Sequence, residues 1–190
     1  MVQLKTRRLL LREFTPDDYE GAHAYGSDPE VTRYMEWGPN TPEDTRAFLA
    51  RAIEHQSENP RLSYTLVIEH QEHGVIGGCG VYVTSTQNRS ASIGYSLNRQ
   101  HWGQGYGTEV AGKLIAYGFE ALNMHRLTAT CDPRNVASWR VMEHNGMTRE
   151  GFLREDKLMR GEWRDSLVYS ILRHEYGPNG SRTAATQANP

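Results

Sequence analysis

Three glycines at alternate positions, Gly103, Gly105 and Gly107, separate a strand-like run from Ser90 to Leu97 from a helical period. Val110, Leu114, Tyr117 and Ala121 recur at helical spacing between Thr108 and Leu122. Glycine lets the backbone turn with successive amides pointing one way, and lets a ligand approach without meeting a Cβ. Those amides stand at a helix N-terminus, whose partial positive charge favours an anion such as a pyrophosphate. A tight turn without a ligand is also compatible with the glycines alone. The spacing G-x-G-x-G is not the dinucleotide fingerprint G-x-G-x-x-G, and Asn123-Met124-His125 supplies no acidic residue where that fingerprint needs one. A Walker loop is absent as well.

The remaining pattern places this loop in a mixed α/β domain. Arg8–Glu13 reads as a first strand, and Thr15-Pro16-Asp17-Asp18 and Thr41-Pro42-Glu43-Asp44 read as helix starts. The second of these helices carries Phe48, Ala52 and Ile53 on one face. Tyr64–Glu69 and Val75–Val83 read as paired strands, followed by the strand Ser90–Leu97 and the Thr108–Leu122 helix. Leu127–Cys131 is a strand, Val136–His144 a helix with Asn145-Gly146 as its exit, and Met147–Arg154 and Ser166–Leu172 are final strands. This order gives one sheet with helices available to both faces. Residues 1–176 form the expected domain, and 177–190, with no apolar period, a disordered tail.

With 190 residues the chain needs no staple, and its two cysteines form no disulfide framework. Lys and Arg number 21 against 23 Asp and Glu, so the basic footprint of a nucleic-acid binder is missing. No apolar run approaches the roughly 20 residues of a membrane span, and the opening residues lack a signal-peptide core. A cytoplasmic protein without nucleic-acid or membrane partners is expected.

The loop Trp102-Gly103-Gln104-Gly105-Tyr106-Gly107-Thr108-Glu109 resembles the acetyl-CoA pyrophosphate loop of the GNAT N-acetyltransferases, in the wording of the RimJ/RimL-like branch that acetylates protein N-termini. The likeness extends to Thr6-Arg7-Arg8-Leu9-Leu10-Leu11-Arg12, Ser27-Asp28-Pro29-Glu30-Val31, Ile93-Gly94-Tyr95, Asn135-Val136-Ala137-Ser138, Arg149-Glu150-Gly151 and Arg160-Gly161-Glu162-Trp163-Arg164-Asp165. It implies the GNAT acyl-CoA N-acyltransferase fold, a central mixed and mostly antiparallel sheet flanked by helices on both faces. A literal Gln-x-x-Gly-x-Gly stands at 100–105, but the family's strand-to-helix spacing favours 102–107. Trp102 then replaces the usual Gln or Arg and contributes mainly its backbone.

The resemblance also implies a site. The fourth and fifth strands of the family splay apart, and the pantetheine arm of acetyl-CoA enters between them. Backbone groups of Tyr95 and Leu97 are expected to bind that arm, with the Leu97 amide polarising the acetyl carbonyl. Trp102, Gly103, Gly105, Tyr106, Gly107 and Thr108 form the expected pyrophosphate loop. Asn135 matches a family position that contacts the cofactor, and also suits a helix cap. Ser138 matches the residue that protonates the leaving thiolate. The family's commonest general base, a Glu, is replaced by Ser92, which leaves Glu13, Glu150, Glu155 and Asp156 undistinguished.

No histidine pair has H-x-x-x-H or H-E-x-x-H spacing, so no metal is expected. Cys79 and Cys131 read as small buried apolar residues. Tyr34 and Trp37 read as core or acceptor-groove residues, Trp163 and Asp165 as substrate-end or packing and turn residues. The implied activity is acetyl transfer to a primary amine, first of all a protein N-terminal α-amine. A small-molecule amine (antibiotic, polyamine or amino acid) or a non-catalytic acetyl-CoA sensor are the alternatives, and a homodimer is possible by the same likeness.

Overall fold

The computed structural model describes residues 1–177, so all but the first residue of the expected tail lies outside the described residues. Eight strands form one sheet in the order β1-β2-β3-β4-β5-β6-β8-β7. They are β1 (Gln3–Lys5), β2 (Leu9–Glu13), β3 (Ser63–His70), β4 (Gly74–Ser85), β5 (Ser90–Leu97), β6 (Arg126–Cys131), β7 (Thr148–Met159) and β8 (Glu162–Leu172). The helices are α1 (Tyr19–Gly26), α2 (Pro29–Thr32), α3 (Pro42–Glu54), α4 (Tyr106–Glu120) and α5 (Val136–His144). Only β5 and β6 run parallel, because α4 carries the chain back across the sheet between them.

Strand alternation distributes the core. Leu66 and Ile68 of β3 join the large cluster built on Val110, Leu114 and Phe119 of α4, while Val67 between them joins Phe14, Tyr25 and Leu49 under α1 and α3. Helices therefore cover both faces. Burying side chains of this size contributes roughly 1.5–3 kcal/mol each.

Two helix starts follow local chemistry. The Thr41 hydroxyl accepts the Asp44 amide at 3.2 Å, and the Asp44 carboxylate accepts the Thr41 amide at 3.0 Å, a reciprocal cap for α3. Thr15 donates its amide to Asp18 at 2.7 Å, but its element is a 3-10 turn, Pro16–Asp18, that leads into α1. The strands β5 and β6 and the helix α5 lie where the pattern predicts. The structure adds β1 and α2, and α4 begins two residues before Thr108 because Gly105 closes the loop in the left-handed region at φ +78°. β7 runs past Arg154 to Met159, and β8 starts at Glu162 across the turn Arg160-Gly161, both residues at positive φ. Irregular register after Arg149 and Leu153 interrupts the alternation that reveals a strand.

Candidate active site

The sheet opens where its one parallel pair ends. β5 and β6 are registered only over Ser90–Ser92 and Arg126–Thr128. From Ile93 onward β5 keeps β4 as its partner, so alternate backbone amides and carbonyls face a gap. A cavity of about 770 Å³ fills that gap, lined by Ile93–Ser96 on one side and Ala129–Asp132 on the other. Ser92, at the last paired position, stands where the strands part. The splay expected of 90–97 and 127–131 is thus present, as the fifth and sixth strands because of β1.

The glycine loop ends against β5, where Gly107 packs on Tyr95, a residue that lines this gap. Gly103 and Gly105 are both left-handed, at φ +73° and +78°. Gly105 caps α4, so the amides of Tyr106, Gly107 and Thr108 have no partner within the helix and offer themselves to an anion. Gly107 is glycine for a steric reason: an added Cβ would lie 2.8 Å from the Tyr95 hydroxyl. Burial pushes that phenol up to about 12.

The surroundings of several expected residues narrow which of their groups face the gap. Trp102 contributes its indole, which donates to the Leu97 carbonyl at 2.8 Å and ties the loop to the end of β5. The Leu97 side chain is buried and its carbonyl is occupied, so its amide is the group left for a ligand. The Tyr106 ring is buried beneath the Arg8 guanidinium, 4.3 Å from its centroid, which leaves only its amide for the anion. Asn135 does cap α5, accepting the Ser138 amide at 3.2 Å, while both residues line the cavity.

A brace behind the loop went unread in the sequence. Glu109 accepts the Thr6 hydroxyl at 2.5 Å, the Arg8 amide at 2.8 Å and Arg8 Nε at 2.8 Å. Arg8 Nη1 reaches on to the Gln104 carbonyl at 2.9 Å. Burial opposes ionisation of Glu109, yet the Thr6 and Arg8 hydrogen bonds hold its pKa below the usual carboxylate range. An acidic side chain in the first turn of α4 is thereby turned away from the anion site and neutralised. About a hundred residues separate these partners, so no local pattern betrays them.

The proposed bases do not reach the cavity. Glu13 is buried against Arg61 at 2.5 Å. Glu150 pairs with Arg126, which holds its carboxyl at about 2. Glu155 and Asp156 lie at the irregular stretch of β7, where the Glu155 amide donates to Asp165 at 2.8 Å. Among the described residues the cavity carboxylates are Asp44 and Asp132. Asp132 is gripped by Arg134 through two hydrogen bonds that keep its pKa low. Cys131 also lines the cavity, and burial pushes its thiol up to about 11, partly offset by a Ser138 hydrogen bond. It stays a thiol near neutrality rather than a nucleophile.

Tyr34 and Trp37 form one wall of the cavity, while Trp163 and Asp165 lie outside its lining. That wall is pinned from a distance. Arg160 Nη2 sits among the carbonyls of Thr32, Met35, Trp37 and Gly38 at 3.0, 3.3, 3.1 and 2.7 Å, and Lys157 pairs with Glu36 at 3.3 Å. Hydrogen bonds from a charged donor contribute about 1.5–3 kcal/mol. Arg160→Ala is therefore expected to loosen this wall and lower stability by about 1.5 kcal/mol, the low end of that range for an exposed donor, which denaturant unfolding would check.

The structure thus sets a slot with unpaired strand edges beside a helix N-terminus with free amides. Residues 8–148 match the model of the GNAT acetyltransferase domain. The chain belongs to the GNAT family. It is 35% identical over 176 residues to the uncharacterized N-acetyltransferase p20 of Bacillus licheniformis, covering 93% of this chain and 99% of that one. It superposes on a GNAT-family acetyltransferase from Bacillus anthracis with a TM-score of 0.81 at 32% identity, covering 92% of this chain and all of the other. Spermidine N(1)-acetyltransferase of Vibrio cholerae is 22% identical over 169 residues, 89% of this chain and 95% of that protein. This GNAT chain is an acetyl-CoA-dependent N-acetyltransferase. Among the described residues no helix is long and apolar enough to cross a membrane.

Proposed function

We propose that the acceptor is an α-amine at a protein or peptide N-terminus. The observation that carries this reading is that both carboxylates lining the cavity among the described residues are committed: Asp132 to Arg134, and Asp44 to capping α3. Attack on a thioester needs a neutral amine. An α-amine, with a pKa of about 7.7–8.0, is roughly a quarter to two-fifths neutral at pH 7.5, whereas an alkylamine near 10.4 is only about a thousandth neutral. The first can react with little help, the second only with a base.

In this reading the amine nitrogen attacks the acetyl carbonyl, the carbon–sulfur bond breaks, and the nitrogen loses its extra proton to solvent water in the cavity. The Leu97 amide polarises the carbonyl oxygen, and the Ser138 hydroxyl passes its proton to the departing sulfur while regaining one from the cavity water that takes up the nitrogen's proton. Gly103, Gly105, Tyr106, Gly107 and Thr108 hold the pyrophosphate through their amides, and Tyr95 and Asn135 flank the arm.

The spermidine relative favours a polyamine as the second reading. A polycationic acceptor calls for an acidic channel, and here Arg51 and the paired Asp132 leave Asp44 nearly alone. A panel of N-terminal peptides, polyamines and amino acids, read by thiol release from acetyl-CoA, decides between them. Turnover on peptides is expected, with kcat/KM rising about tenfold per pH unit until it levels near the α-amine pKa of about 8. Turnover confined to alkylamines, still rising above pH 9, would contradict the proposal.

A further inference from the structure

The β3–β4 turn and the loop before α4 bring together side chains that no helical spacing pairs. His70 closes β3, and Glu72 and His73 follow in the turn that leads to Gly74. The His70 and His73 rings stack with centroids 4.7 Å apart at 22°, and His101 adds a third imidazole 5.1 Å from His73. One donor atom from each of His70, Glu72 and His73 lies within 4.8 Å of the others. None of the three histidines has a carboxylate partner among the described ion pairs.

This is the ligand chemistry of a borderline transition metal. Two or three imidazoles with one carboxylate suit Zn²⁺ or Ni²⁺, whereas Mg²⁺ and Ca²⁺ require oxygen-rich shells. Tetrahedral Zn²⁺ with nitrogen ligands at about 2.0–2.1 Å needs donor atoms roughly 3.4 Å apart. Glu72 and His73 are exposed and His70 half-buried, so their side chains have room to rotate inward toward that spacing. The contact that must yield is slight: the Glu72 amide donates to His70 Nδ1 at 3.2 Å.

We propose that His70, Glu72 and His73 form a binding site for a Zn²⁺-class divalent cation, with the His101 ring beside it. The site abuts the cofactor loop. His70 and His101 flank the Tyr106 ring at 5.6 and 6.4 Å, and His101 immediately precedes Trp102. A bound ion would sit in the β3–β4 turn, next to the strand-to-helix loop that carries His101.

Calorimetric titration of Zn²⁺ into untagged, chelator-treated full-length protein tests this, with Mg²⁺ as the comparison ion. One Zn²⁺ per chain is expected to bind saturably at micromolar concentration, unaffected by excess Mg²⁺. His70→Ala/His73→Ala should weaken it by at least about tenfold and His101→Ala by less, while acetyl-CoA binding by the same variants reports that the fold is intact. Should a variant fail that control, Glu72→Gln serves instead, with an expected loss of several-fold. Non-saturable Zn²⁺ binding in the wild type, or binding that survives loss of both His70 and His73, would overturn the site.

Discussion

Gly107→Ala is expected to weaken acetyl-CoA binding about 10- to 100-fold while the protein stays folded. The new Cβ would stand 2.8 Å from the Tyr95 hydroxyl and 2.9 and 3.0 Å from two ring atoms. Overpacking of this kind costs about 1–3 kcal/mol, and each 1.4 kcal/mol is about tenfold in affinity. The Tyr95 ring lines the gap between β5 and β6, so its displacement is felt in the slot. Stability changes less, because alanine is favoured over glycine in a helix by about 1 kcal/mol. Calorimetric binding beside thermal unfolding separates the two effects. Unchanged affinity would mean that Tyr95 lies off the path of the cofactor arm.

Glu109→Ala is expected to damage both stability and cofactor binding. The substitution removes three hydrogen bonds and leaves the Arg8 guanidinium, half-buried above Tyr106, without its carboxylate. Removing hydrogen bonds to a charged partner costs about 1.5–3 kcal/mol. Arg8 also holds the Gln104 carbonyl, so the loop loosens with it and acetyl-CoA affinity falls about tenfold. The same carboxylate predicts a pH dependence. Its pKa is depressed in the folded protein, so its contribution is present above the unfolded Glu pKa of about 4.3 and is lost as pH falls through the lower folded value. Glu109→Ala should therefore destabilise the protein at pH 7 more than at acid pH, as denaturant unfolding at several pH values would reveal.

The glycine loop was legible because each requirement is local: two left-handed residues, one close approach and a helix that begins beside them. β5 and α5 were legible because β5 is a short strand-like run before the glycine loop and α5 ends on the exit signal Asn145-Gly146. β1 was not, since three residues carry too little pattern and depend on pairing with Leu10–Arg12. The full length of β7 was hidden by its irregular register and exposed faces. Contacts across the chain were invisible for another reason: Arg8 with Glu109, and Arg160 with the loop at Thr32–Gly38, express tertiary geometry alone. The histidine cluster escaped because its members meet through a turn, where helical spacing is the wrong ruler. The missing base was legible as Ser92, but only the structure removes Glu13, Glu150, Glu155 and Asp156 from the cavity.

The most direct test of the cofactor assignment is a crystal structure of the full chain with CoA. The account predicts the pantetheine arm between Ile93–Leu97 and Ala129–Cys131, its pyrophosphate within hydrogen-bond distance of the Tyr106, Gly107 and Thr108 amides. CoA bound outside this gap, or a pyrophosphate away from the N-terminus of α4, would contradict it.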